Sequence, residues 1–291
     1  MGDKSGIEWT DATWNPTSGC SKVSPGCKFC YAERIFPRVY GKTRRFTDIQ
    51  LHTSRLGQPL SWRKPKRVFV NSMSDLFHES IPDWFIDRVF AVMSIARQHT
   101  FQVLTKRPER MRDYCGSDET TGRIAAVVAE LADGRGHVDL KWSDDGLRGF
   151  KMPNVWLGVS VENQEVADER IPVLLETPAA VRFLSCEPLL GPIGLEMIVD
   201  DCVIDMLGGQ WAPDFEPPVP WARVGLDWII CGGESGPKAR PMEVAWCESL
   251  LEQCRDAGVP MFFKQGSAAN WPHFKSFESF PEALQVREFP A

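Results

Sequence analysis

The sequence predicts an α/β fold, a partial or complete (β/α) barrel of about six to seven parallel strands. Short β-rich runs alternate with amphipathic helices in a strand, helix, strand rhythm. Unusual polar clusters recur just after those runs, where parallel α/β folds collect their sites. A chain of 291 residues that is 43% hydrophobic can also bury a full core. Periodicity alone leaves a doubly wound open sheet as the alternative.

In chain order, residues 7–14 read as a first strand or extended segment leading into a cysteine-rich loop. Residues 31–40 form a short helix that Pro37 must kink or end. Residues 41–66 lack a clear period and read as a loop containing one short helix. A strand over 67–73 precedes a helix over 83–98 with Ile86, Val89, Phe90, Met93 and Ala96 on one face. Residues 101–105 are the next strand. The helix over 121–131 carries Ile124, Val127, Val128 and Leu131 as its stripe and stops at Gly134. Four further strands are expected over 155–161, 181–185, 227–231 and 260–264. The helix before the last covers 242–257, with Cys247, Leu250, Leu251 and Cys254 inward and Gly258 as its stop. The chain thus reads as a single domain over 1–291 with inserted loops at about 41–66, 133–152 and 192–226.

Composition narrows the class. No run of about 18 apolar residues exists to span a membrane, and the first residues lack the apolar stretch of a signal peptide. A cytoplasmic protein with no membrane partner is expected. Nine cysteines are an odd number for a disulfide framework, and three of them are bunched. The scattered ones, Cys115, Cys186, Cys202, Cys231, Cys247 and Cys254, read mainly as small buried hydrophobes in a reducing compartment. The net charge of −6 hides an asymmetry. From Arg34 to Arg67 the chain carries Arg34, Arg38, Lys42, Arg44, Arg45, Arg55, Arg63, Lys64, Lys66 and Arg67 against the single acid Asp48. Such a segment in an acidic protein suggests contact with a polyanion, or else a solvated loop covering the acidic remainder.

The segment from Gly19 to Glu33 places Cys20, Cys27 and Cys30 within eleven residues, and the Pro25-Gly26 turn lets the chain curl back. Three thiols with no nearby histidine fall one short of a structural zinc shell, while thiolates are the favoured ligands of iron–sulfur clusters. A cubane held by three thiolates leaves one iron open to a further ligand. The alternative is a zinc knuckle whose fourth ligand comes from afar, for example His78.

The spacing Cys27-Lys-Phe29-Cys30 resembles that of the radical S-adenosylmethionine (SAM) enzymes, in which the open iron is chelated by SAM. The usual motif of that superfamily has three residues between its first two cysteines and this chain has six, so the chain resembles an outlying member. Further phrases cover most of the chain: Ile7 to Pro16, Val70 to His78, Leu104 to Pro108, Val155 to Asn163, Ser185 to Gly191 and Cys231 to Gly236. Together these resemble a family of phage-associated and bacterial proteins named for a three-cysteine motif, generally described as radical-SAM-like and without an established substrate.

The resemblance implies a radical-SAM-like barrel, a [4Fe–4S] cluster on Cys20, Cys27 and Cys30, SAM as cofactor or cosubstrate, and an electron donor as partner. SAM presents an ammonium, a carboxylate, a ribose and an adenine, and the strand-end clusters hold groups suited to each. Ser72, Ser74 and Asp75 are candidates for the methionyl end, Ser160, Glu162 and Asn163 for the ribose, and Phe29 for packing on adenine. Gly232, Gly233 and Glu234 read either as a close backbone approach to a ligand or as a tight turn. Glu187 and Lys106 could touch ligand or pair with each other, and Cys186 and Cys231 could donate a hydrogen atom to a substrate radical. The function expected is a radical SAM enzyme acting on a nucleic acid or nucleotide. The alternatives are a peptide or protein substrate, or a non-catalytic phage-type binding protein with a structural zinc or iron–sulfur site.

Overall fold

The computed structural model describes residues 5–131, 141–142, 149–199, 202–208, 224–271, 273 and 275–291. The principal sheet has seven parallel strands: β1 (Ala12–Trp14), β2 (Arg67–Val70), β3 (Thr100–Thr105), β4 (Val155–Ser160), β5 (Val181–Cys186), β6 (Trp228–Gly232) and β7 (Met261–Gln265). Their order in the sheet is their order in the sequence. A doubly wound sheet needs a point where the order reverses, and this one has none. The fold is α/β, of the partial (β/α)-barrel type.

Among the described residues, six helices fill the connections: α1 (Tyr31–Tyr40), α2 (Asp83–Ile95), α3 (Pro108–Cys115), α4 (Asp118–Leu131), α5 (Gln164–Leu175) and α6 (Val244–Ala257). Two of them, α3 and α5, have no counterpart in the periodic reading. Pro172 lies inside α5 and breaks the apolar rhythm there, while α3 is short and opens on Pro108.

The chain divides into two compact units. One comprises Met1–Lys22, Ala32–Leu157 and Thr177–Ala180, the other Val23–Tyr31, Gly158–Glu176 and Val181–Ala291. In the first unit β1 pairs with β2 and β2 with β3, all in parallel register. The expected stripe of α2 is buried throughout, Ile86, Val89, Phe90, Met93 and Ala96 each at 2% exposure or less. The stripe of α4 is narrower than its pattern suggests. Ile124 and Val128 are buried, but Leu131 is 41% exposed, because residues four apart already fill the face that meets α2. Behind α2 the rings of Phe77, Phe90, Tyr114 and Phe150 meet edge-on or tilted. Asp87 closes this cluster by accepting from the Tyr114 hydroxyl at 2.7 Å and pairing with Arg123.

In the second unit β5, β6 and β7 pair in parallel, and in its core Trp228 meets Phe183 at a tilt and Phe262 edge-on. The inward face of α6 is as expected, with Cys247, Leu250, Leu251 and Cys254 buried. Gly258 ends that helix in the left-handed conformation at φ 69°.

The inserted segments hold more structure than their sequence suggests. Within 41–66, Gln50–Leu51 pairs antiparallel with Thr17–Ser18, and two 3₁₀ turns follow, Thr53–Arg55 and Gln58–Ser61. Within 192–226, Glu196–Val199 and Cys202–Asp205 form an antiparallel hairpin. Most of 133–148, including the expected stop at Gly134, and residues 209–223 lie outside the described residues. No helix among the described residues is long and apolar enough to cross a membrane.

Candidate functional site

Every polar cluster singled out in the sequence stands at the carboxyl end of a principal strand. In the first unit, Asn71–Asp75 follows β2 and Lys106–Arg107 follows β3. In the second, Ser160–Asn163 closes β4, Ser185–Glu187 closes β5, Gly232–Ser235 closes β6 and Lys264–Gln265 ends β7. The three-cysteine segment follows β1 and begins its descent through the Gly19–Ser74 bridge.

The first unit holds Cys20 firmly. Gly19 N–H donates to the Met73 carbonyl at 3.0 Å, and Cys20 N–H donates to the Phe46 carbonyl at 2.9 Å. The sulfur meets Arg107, whose Nη1 donates to Cys20 Sγ at 3.7 Å and to Asp75 Oδ2 at 3.1 Å. The Arg107 Nη2 group donates to Ser21 Oγ at 2.7 Å, and Nε donates to Glu79 Oε2 at 3.1 Å. Burial opposes the charge on this guanidinium, but Asp75, Cys20 and Glu79 outweigh it and hold its pKa above the ordinary value.

Asp75 is 6% exposed and is consumed by the fold. Its Oδ1 accepts from Phe77 N–H and from the Thr105 hydroxyl, its Oδ2 from Lys106 N–H as well as Arg107. That saturates the carboxylate, so Asp75 braces the ends of β2 and β3. Ser74 shares a 2.6 Å hydrogen bond with the Thr17 hydroxyl, and Ser72 exchanges hydrogen bonds with the Asn15 amide. His78 accepts from Ser80 N–H at Nδ1, so its neutral ring carries the proton on Nε2, which lies 2.9 Å from Ser21 Oγ. Burial first, and then the Arg107 charge, lower its pKa and keep it neutral.

The second unit holds Cys27 and Cys30. Cys27 ends a 3₁₀ turn, Pro25–Cys27, and is buried, while Cys30 is half-buried. Two groups grip this turn. Glu162, fully buried, accepts the Gly26 N–H at 2.7 Å. Arg240 donates to the Pro25 carbonyl at 3.0 Å and lies over the Phe29 ring at 5.4 Å, while pairing through both arms with Glu234. Lys28 Nζ is also 5.4 Å from that ring. Glu234 is therefore committed to Arg240, and Phe29 presents a half-buried aromatic plane flanked by cations.

Other candidates have structural partners here. The Asn163 side chain caps α5 by accepting from Val166 N–H at 3.1 Å. The Ser160 carbonyl accepts from buried Arg170 at 2.8 Å. Glu187 pairs with Lys264 rather than Lys106, at 2.8 Å and without the alignment of a hydrogen bond. At Gly233 an added Cβ would lie 2.4 Å from the Ser267 backbone nitrogen, so the chain's own packing explains that glycine. At Gly232 its closest neighbour would be the Glu187 carboxylate, at 2.7 Å, with the Gln265 carbonyl at an ordinary 3.5 Å. Cys186 and Cys231 stand opposite one another on β5 and β6, and Cys231 hydrogen bonds with Cys247 of α6. Because side chains alternate along a strand, both thiols face the α6 side and Ser185 and Glu187 the other. Burial raises the Cys186 thiol, and the Cys247 hydrogen bond followed by burial raises that of Cys231.

Sequence reading placed Arg107 in a strand-end cluster without its partners and passed over Arg170 and Arg240. Arg107 lies 32 residues from Asp75 and Arg240 lies 215 from the Pro25 carbonyl, so no local spacing reveals those contacts, whereas Arg240 is only six residues from Glu234 and Arg170 ten from Ser160.

The eight cysteines whose side chains are described form no disulfides. Among the described residues, no three His, Cys, Asp or Glu side chains are grouped as one metal ion requires. A single zinc holds each sulfur at about 2.3 Å. A cubane bonds each thiolate to a different iron, and its ligands stand farther apart. Of the three thiols of the loop, Cys20 has a guanidinium donor at its sulfur.

No curated protein and no solved structure matches the chain. One family does, described as a protein family of unknown function, DUF5131, over residues 4–280. That span covers nearly the whole sequence, and the chain belongs to this family.

Proposed function

We propose that the protein is a radical SAM enzyme whose Cys20, Cys27 and Cys30 hold a [4Fe–4S] cluster, and that its substrate is a nucleic acid or nucleotide. The observation that carries the reading is the position of the three-cysteine segment, directly after the first strand of a consecutive parallel α/β sheet with polar clusters at its strand ends. When bound, the cluster and SAM supply the reductive cleavage that yields a 5′-deoxyadenosyl radical. The chain supplies position. Arg107 fixes the Cys20 limb, Glu162 and Arg240 fix the turn that ends in Cys27, and the Phe29 plane offers a surface for adenine. Asp75, Glu234 and Asn163 act behind these groups, since their polar atoms serve the fold. The Ser72 and Ser74 hydroxyls and the Glu162 carboxylate are the candidates for polar contact with SAM.

The choice of substrate rests on the basic segment. Arg34, Arg38, Lys42, Arg44, Arg45, Arg63 and Lys64 are exposed, whereas Arg55 hydrogen bonds to Tyr40 and Arg67 pairs with Asp11. Arg34 and Arg38 lie one turn apart on α1, the helix that follows Cys30. Such a row of cations suits phosphates.

Anaerobic reconstitution with iron and sulfide tests the cluster assignment. The wild type is expected to bind about four irons and a Cys27→Ala, Cys30→Ala variant to lose them. A tight zinc with no iron uptake would leave the structural-site alternative in its place.

A further inference from the structure

The Arg107 fork makes five contacts, four of which explain its position. Asp75 and Glu79 hold the guanidinium from the β2 side, and Ser21 receives Nη2 through both its hydroxyl, at 2.7 Å, and its carbonyl, at 3.4 Å. The fifth contact, Nη1 to the Cys20 sulfur at 3.7 Å, serves no backbone group and closes no turn. The side chain is 11% exposed, so solvent screens this donor weakly. Cys20 itself is fixed by backbone hydrogen bonds at Gly19 and at its own N–H, so sulfur and donor are both preorganised.

We infer that Arg107 is a positioning residue that sets the reduction potential of the cluster through the Cys20 sulfur, an inference that rests on the cluster assignment above. A hydrogen bond and a positive charge at a ligand sulfur stabilise the more negative, reduced state, and hydrogen bonds to sulfur together with net charge are levers of cluster potential. Glu79 is the opposing lever. It pairs with the same guanidinium, its side chain is 67% exposed, and its own backbone hydrogen bond is the leading cause that keeps it ionised. Arg107 accordingly raises the potential and Glu79 moderates it.

The two variants are chosen to move in opposite directions. Arg107→Lys keeps a cation for buried Asp75 but lacks the fork that reaches Cys20, Ser21 and both carboxylates at once. Glu79→Gln removes an exposed charge and leaves the core untouched. The readout is the potential at half-reduction, followed by electron paramagnetic resonance during an anaerobic dithionite titration of the reconstituted protein without SAM. R107K is expected to lower the potential, with up to a tenfold fall in the reduced-to-oxidised ratio at fixed potential, about 59 mV for one electron. E79Q is expected to raise it by a smaller amount. If R107K fails to retain iron, the direction of the E79Q shift decides. Unchanged potentials in iron-loaded variants would overturn the inference while leaving the cluster in place. A wild type that takes up no iron would overturn the cluster assignment and the inference with it.

Discussion

Glu162 Oε1 accepts a 2.7 Å hydrogen bond from the Gly26 backbone N–H, across a sequence separation of 136 residues. The carboxylate is fully buried, and its other oxygen lies 3.7 Å from Arg170 Nη1 without a hydrogen-bond partner among the described residues. A buried carboxylate with one committed and one uncommitted oxygen can fix the cysteine turn and still offer an acceptor to a ligand. Glu162→Ala leaves the Gly26 N–H and the Arg170 charge without this partner, which costs about 1–3 kcal/mol of stability. Iron retention is expected to fall with it. Thermal unfolding and iron content of E162A measured side by side check this, and an unchanged melting temperature would contradict it.

The two glycines after β6 separate by substitution. Gly233→Ala places a methyl group 2.4 Å from the Ser267 backbone nitrogen, and backbone there cannot move aside cheaply. Overpacking of this kind costs about 1–3 kcal/mol or more. Gly232→Ala comes too close only to the end of the Glu187 side chain, which can turn away, and its distance to the Gln265 carbonyl is an ordinary 3.5 Å. Urea denaturation is expected to show G233A strongly destabilised and G232A within about 1 kcal/mol of wild type. A comparable loss in both would show that the Glu187–Lys264 pair is immobile.

His52 gives the first unit an acid-sensitive point. Its ring stacks on Tyr40 and its Nε2 lies 2.8 Å from Ser18 Oγ. Burial, then the charges of Arg55 and Arg44, depress its pKa from 6.5 to about 4. The unfolded chain thus binds a proton that the folded chain refuses between those values. Stability is expected to fall as pH drops through 6.5 and to level off near 4, by up to about 2 kcal/mol once solvent screening of the half-buried ring is counted. In His52→Gln this part of the pH profile is expected to flatten; a slope equal to that of wild type would assign the loss to other groups.

Binding to single-stranded DNA or RNA is expected to weaken steeply with salt, because each phosphate contact releases condensed counterions. Arg34→Glu with Arg38→Glu removes two exposed cations one helical turn apart. The slope of log affinity against log salt is expected to fall by about 1–2. Binding that ignores salt and this double variant would remove the reason for preferring a nucleic acid over a peptide substrate.

How much of this was legible in the sequence depends on whether the signal is local. The seven strands, the buried face of α2 and the Cys247 to Cys254 face of α6 follow from short-range periodicity, and the structure has them. α5 escaped because Pro172 interrupts its rhythm, and its cap, Asn163, reads as a ligand-binding residue when the helix behind it goes unseen. The strand-end clusters were legible as positions, but their partners were not. Asp75 and Glu234 look like spare carboxylates until Arg107 and Arg240 are placed beside them. Glu187 illustrates the same limit, since Lys264 rather than Lys106 stands at its side. A salt bridge between residues as far apart as Asp75 and Arg107, or Glu187 and Lys264, leaves no periodic trace.

The central claim is tested most directly by dithionite reduction of the reconstituted protein with SAM under anaerobic conditions, followed by chromatography for 5′-deoxyadenosine. The wild type is expected to release 5′-deoxyadenosine, and the Cys27→Ala, Cys30→Ala variant to release none. An iron-loaded wild type that leaves SAM intact under strong reduction would contradict the assignment and return the three-cysteine segment to a structural role.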